Sequence, residues 1–224
     1  MRSVILCMFV IRDILLYILS MPSRNIKKVQ LPESFYHVYA RGSNKQKVFI
    51  DNSDYAYFIH LINRYLSKHL EISENGEVYP NFIGKVEIVA YCLMKNHFHL
   101  LIYQVDTPFM EKFMRSMMTS YGVYFNLKYK RTGPVFESRY KAVLVDNEQY
   151  LQHITRYIHL NPRYWEQYKY SSLKYYLHGN EPHWLVNGKI LDLFTSRQDY
   201  VDFISDYNET DDDSDVLKGL LADK

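Results

Sequence analysis

Cysteine is scarce in this chain: Cys7 and Cys92 are the only two among 224 residues. Two cysteines cannot build a disulfide scaffold and match no cysteine-rich metal spacing, so a reducing, cytoplasmic setting is expected rather than secretion. A long uninterrupted apolar run is also missing. Residues 4–19 are strongly apolar, but Arg12 and Asp13 sit in the middle. Each would cost about 2.5 to 3.5 kcal/mol at a bilayer centre, which disfavours a spanning helix and any membrane partner. The stretch ending in Leu-Tyr-Ile-Leu-Ser-Met-Pro is a poor signal-peptide cleavage site, and Met21 is an alternative start. Internal repeats are absent too, so one catalytic domain of ordinary size is the expectation.

Charge of one sign is lacking overall, since the net charge is only +2. The balance conceals an asymmetry. Residues 206–215 hold six acidic side chains and no basic one, and removing those six negative charges from +2 leaves +8 on the rest. A basic body with an acidic tail fits a nucleic-acid binder, although such a run is ordinarily a solvated linker. What the chain has in abundance is aromatic surface: 22 tyrosines and 12 phenylalanines. Most such rings build cores, yet flat and partly polar faces also hold unpaired bases by stacking.

Periodicity gives the order of elements. Residues 35–42 (FYHVYARG) alternate as a strand. Residues 51–69 place Phe58, Leu61, Ile62, Tyr65 and Leu66 near helical spacing behind an Asp51 or Ser53 cap. Residues 71–84 read as a connection, and the apolar runs 86–94 and 97–103 flank a Lys95-Asn96 turn as a hairpin. Residues 109–130 are helical in spacing, Gly133-Pro134 breaks that pattern, and 135–145 return to extended character. Asp146 or Asn147 caps a further helix to about Leu160, which Pro162 ends. The order β, α, β, β, α, β predicts an α+β, ferredoxin-like split βαβ fold: an antiparallel sheet with helices on one face, followed by a C-terminal helical extension.

Strand geometry gives His97-Phe98-His99 a direction, because residues i and i+2 share a face. Phe98, Leu100 and Ile102 are expected in the core, with His97, His99 and Leu101 on the opposite face. Two imidazoles and a third polar group suit a divalent ion that keeps positions open for phosphate oxygens. Alone, such a pair arises by chance in a chain with nine histidines. On the helix ending near Leu160, Tyr157 and Asn161 are four residues apart and so share one face. A tyrosine can store the energy of a broken phosphodiester in a covalent bond. Its ordinary pKa of about 10 leaves it a weak nucleophile without electrostatic help. Tyr121, Tyr124 and Tyr150 are rival tyrosines, but their spacing offers no paired amide.

The runs YHVYARGSN (36–44), AYCLMKNHFHLLI (90–102), GPVFESRYKAVLV (133–145) and YIHLNP (157–162) closely resemble the single-tyrosine HUH transposases, so called for a histidine-hydrophobic-histidine motif. Within that family the chain looks most like the REP-associated tyrosine transposases and their relatives among small insertion-sequence transposases, over residues 35 to about 177. The resemblance implies a catalytic core that binds hairpin DNA and cleaves a single strand beside it. The products are a 5′-phosphotyrosine and a free 3′-hydroxyl, and magnesium or manganese assists. Carried onto this sequence, the metal ligands are His97, His99 and Asn161, and the nucleophile is Tyr157. His37, Arg41, Arg139 and Lys141 are candidate DNA contacts on alternate strand positions. The implied domains are an N-terminal extension (1–30), a transposase catalytic domain (31–177) and a C-terminal extension with the acidic run (178–224). Relatives act either as homodimers, with the tyrosine helix serving the partner's site, or as monomers, and the sequence favours neither. Two other readings stay open: a non-catalytic module of the same fold that holds single-stranded nucleic acid, and a structural zinc protein, although four good zinc ligands are not evident.

Overall fold

The computed structural model describes residues 30–206. The apolar opening stretch, Met21, Cys7 and all of the acidic run after Asp206 lie outside the described residues. Among those described, no helix is long and apolar enough to cross a membrane.

Strand β1 (Ser34–Arg41) leads into helix α1 (Asn52–Leu66), then β2 (Val86–Met94), β3 (His97–Gln104), α2 (Phe109–Lys128) and β4 (Lys141–Val145). Helix α3 (Glu148–Leu160) follows, and three short helices, α4 (Leu173–His178), α5 (Gly188–Leu191) and α6 (Arg197–Ser205), complete the described chain. The sheet order is β2-β3-β1-β4 with every pair antiparallel, which is the ferredoxin-like arrangement.

Local chemistry sets the boundaries. Asp51 caps α1 in a reciprocal box: its carboxylate accepts from the Ser53 and Asp54 N–H groups, while Asp54 accepts from the N–H of Asp51. For α3 the cap is Asn147, whose side-chain oxygen accepts from the Tyr150 N–H. The last strand is shorter than its composition suggests. Val135 and Phe136 are consecutive yet both pack into the same core, which alternation in a regular strand forbids. Only a bridge between Gly42 and Phe136 forms there, and regular pairing resumes at Lys141.

Both faces of the sheet are covered. Tyr36, Val38, Ala40, Phe98, Leu100 and Ile102 meet α1 and α2 in one core. Leu101, Val89, Ala90 and Cys92 meet Leu151, Ile154 and Ile158 of α3, together with Tyr176, Ile190 and Tyr200 of the C-terminal helices, in a second. A register shift between Ile88 and Ala90 turns the consecutive residues Val89 and Ala90 toward the same side. The face expected to be open is therefore roofed by α3 and the helices after it.

Candidate active site

Cross-strand register assembles the site. On the second face, β1 presents His37, Tyr39 and Arg41, and β3 presents His97, His99 and Leu101; Tyr39 stands opposite His99, and Arg41 opposite His97. The two-residue turn before His97 is held from below, because Gly42 donates its N–H to the Asn96 carbonyl, and Val48 and Phe49 both donate to that of Lys95. Gly42 is required at this crossing: a Cβ there would lie 2.2 Å from the Gln46 carbonyl oxygen.

Each histidine of the pair has its Nδ1 engaged from behind. His97 Nδ1 lies 2.7 Å from Asn96 Oδ1, and His99 Nδ1 lies 2.8 Å from His37 Nε2. His97 Nε2 stands 3.2 Å from Asn161 Oδ1. His97 thus lies between two amide oxygens, and a neutral ring can donate to only one of them; with its proton on Nδ1 toward Asn96, Nε2 is left as a lone pair. Two acceptors facing each other is an arrangement that a cation relieves. Burial pushes His99 well below the ordinary imidazole range, and His37, His97 and Arg41 add to the effect. The ring is neutral at physiological pH, as a metal ligand must be.

Helix α3 supplies the other wall. The Tyr157 ring meets that of His99 edge-on, with centroids 5.4 Å apart and planes at 83°, and it is half-buried. Asn161 keeps helical angles (φ −56°, ψ −39°) although Pro162 follows, so its amide stays on the Tyr157 side of the helix. The helix is anchored by a buried polar chain: His159 Nδ1 lies 2.6 Å from the Tyr200 hydroxyl and Nε2 lies 2.7 Å from Ser172 Oγ, which itself accepts from the Tyr91 N–H. Burial holds His159 down to about 3.

The structure thus brings His97, His99, Tyr157 and Asn161 into one cluster within a single chain. Its donor set is two imidazoles and an amide; among the described residues, no group of three or more His, Cys, Asp or Glu side chains is arranged around an ion. The fit to a divalent cation rests on the facing acceptors.

The other sequence candidates fall elsewhere. His37 is 1% exposed and lies against His99, so it is not the surface phosphate contact expected of it; the β1–β3 register turned it inward. Arg41 is half-buried at the end of β1 beside His97. Lys141 sits over the Tyr39 ring, 5.3 Å from its centroid. Arg139 is exposed in the segment before β4, where it lines a groove of about 1200 Å³ against α2 that none of the histidines borders. Tyr121 and Tyr124 are on α2, across the sheet from the histidines, where their hydroxyls donate to the Val48 carbonyl and the Asp54 carboxylate. Asn96, His159, Ser172 and Tyr200 were not legible as site-building residues. Asn96 was adjacent to the motif, but the others are joined only by long-range packing.

A ferredoxin-like sheet carrying paired histidines against a tyrosine on a roofing helix is the class that fold and site define. Residues 31–161, more than half of the chain, match the family model for IS200-like transposases, and the chain belongs to that family. Among solved structures, a REP-associated tyrosine transposase bound to a REP hairpin aligns at a TM-score of 0.52 and 14% identity, over 78% of this chain and 96% of that one. A protein described as a transposase of Deinococcus radiodurans R1 aligns at 0.36 and 17% identity, over 62% and 95%. The tRNA(His) guanylyltransferase of Saccharomyces cerevisiae aligns at 0.35 and 11% identity, over 90% and 82%. No curated protein matches the sequence.

Proposed function

We propose that this transposase-family protein cleaves and rejoins single-stranded DNA beside a hairpin, with Tyr157 as nucleophile. The Tyr157 oxygen attacks a backbone phosphorus. A tyrosyl O–P bond forms, the P–O3′ bond breaks, the phenolic proton leaves to solvent, and the departing strand ends in a 3′-hydroxyl once protonated. A 5′-phosphotyrosine remains. Attack by a second strand's 3′-hydroxyl reverses these bond changes and releases Tyr157, so no high-energy cofactor is consumed. His97, His99 and Asn161 would hold Mg²⁺ or Mn²⁺, which would supply Lewis-acid stabilisation of charge on the scissile phosphate. Helix α3 orients the phenol against His99, and the buried chain through His159 keeps that helix from drifting. Residues 31–177 carry the chemistry in this reading, and the described residues after 177, Tyr200 among them, brace α3.

The observation that carries the proposal is the 3.2 Å approach of Asn161 Oδ1 to His97 Nε2, one helical turn from Tyr157. Hairpin DNA as partner is supported by family membership and by the DNA named with the aligned REP-associated enzyme. The test is to incubate labelled single-stranded hairpin DNA from sequence flanking the gene with wild-type protein and with Tyr157→Phe, with and without Mg²⁺ or Mn²⁺. On a denaturing gel, a metal-dependent protein-DNA band present only for wild type is the expected result. A band that survives in Tyr157→Phe would move the role to another tyrosine, Tyr150 first. Hairpin binding without any band would favour a non-catalytic binding module.

A further inference from the structure

His37 is the one buried histidine that touches the cluster without belonging to its ligand set. Its Nε2 lies 2.8 Å from His99 Nδ1, the two ring planes lie within 16° of parallel with centroids 5.1 Å apart, and both side chains are almost wholly buried. A 2.8 Å approach between two ring nitrogens requires one proton between them, so one ring donates and the other accepts. The direction of that proton decides what His99 can do. If His37 donates, the proton of neutral His99 sits on Nε2, and its remaining nitrogen is closed to a metal. If His99 donates, its Nε2 is a lone pair and available. The second arrangement places a proton on His37 Nδ1, a buried atom with no hydrogen-bond partner. Stabilising the ligand form of His99 therefore leaves an unsatisfied donor on His37.

We propose that His37 is a positioning residue for His99: it accepts the His99 Nδ1 proton, fixes the ring, and aims Nε2 at the cation, with its own unpaired Nδ1 tempering the affinity. This inference rests on the metal reading given above. An outer partner that fixes the tautomer of a metal-bound histidine commonly carries a 10–100-fold effect on affinity when removed. The arrangement repeats on His97, whose outer partner is Asn96. The two outer partners differ, because the Asn96 oxygen can only accept, whereas His37 accepts or donates according to its tautomer.

The first measurement is ¹⁵N NMR of histidine-labelled full-length protein with Mg²⁺, which reports directly which nitrogen of His99 carries the proton. A protonated Nδ1 and bare Nε2 are expected; a proton on Nε2 in the metal-loaded protein overturns the proposal. The second is Mn²⁺ binding by calorimetry for wild type, His37→Phe, His37→Gln and His99→Ala, each first shown to unfold cooperatively. His37→Phe keeps the packing but cannot accept, and should raise the Mn²⁺ dissociation constant 10–100-fold. His37→Gln offers an amide oxygen near the position of Nε2 and should bind within a few fold of wild type, or more tightly. Wild-type affinity in His37→Phe, or equal weakness in the Gln and Phe variants, would overturn the role while leaving the metal site standing. Unchanged binding in His99→Ala would instead remove the metal reading and this inference with it.

Discussion

The two faces of the sheet are buried to a similar degree but with different materials. Toward α1 and α2 the strands present Tyr36, Val38, Phe98, Leu100 and Ile102, and the interior is almost entirely apolar and aromatic. Toward α3 and the C-terminal helices the same strands present His37 and His99, and the roof adds Thr155, Arg156, His159, Ser171 and Ser172, all buried. Burying a polar group costs free energy unless it is hydrogen-bonded, so the second face depends on its polar groups finding partners. The first face is held by apolar packing, and the second combines an apolar core with polar groups held at fixed positions.

The largest expected effect of a single change separates those duties completely. Tyr157→Phe removes only a hydroxyl from a half-buried ring, so thermal unfolding should stay near that of wild type while covalent DNA capture falls below detection. A variant that lost both together would show that Tyr157 serves packing. On the opposite face, Phe98→Ala should cost about 3–5 kcal/mol, since the ring meets Phe58 and Phe136 at 5.1 and 5.6 Å in the interior. Urea unfolding would measure it, and a cost under about 1 kcal/mol would mean that the face repacks freely.

Gly42→Ala is expected to be smaller, about 1–3 kcal/mol, because the added carbon must displace the Gln46 carbonyl that closes the loop beneath the His97 turn. Weaker Mn²⁺ binding should accompany it, and an unaltered affinity would separate that loop from the site.

His159 tests the second face through pH. Unfolded, its imidazole takes a proton near pH 6.5; folded, burial holds it neutral down to about 3. Between those values the unfolded chain binds the extra proton, so stability declines as pH falls through that window. His159→Gln, unable to titrate, should be less stable at neutral pH by about 1–3 kcal/mol through the lost network, yet flatter between pH 6 and 4. Parallel profiles for variant and wild type would contradict the buried neutral assignment. The smallest change in stability belongs to the exposed Arg139→Ala, within about 0.5 kcal/mol. If Arg139 engages a phosphate, the salt dependence of DNA binding should lose a slope of about 0.9 or less, and an identical slope would place the DNA path away from the groove along α2.

Much of this was legible in the residues. Alternation put Phe98 and His99 on opposite faces, the spacing of Tyr157 and Asn161 put them on one face of a helix, and the caps at Asp51 and Asn147 lay where short polar side chains precede apolar periodicity. The second core was less legible. The continuous apolar run 88–94 contains residues for both faces, and only the bulge after Ile88 sorts them. The chain 162–206 carries its tyrosines without a clear period because its short helices each contribute one or two residues to a surface built by others.

Sequence by itself determined the elements, their order and the local directions of His97, His99, Tyr157 and Asn161, because backbone periodicity and capping act over a few residues. Tertiary structure alone decided that His37 lies behind His99 rather than on the surface, and that His159 on α3 is tied to Ser172 and Tyr200. Those pairings span 62, 13 and 41 residues of chain, and they exist only once strand register and helix packing have closed those distances.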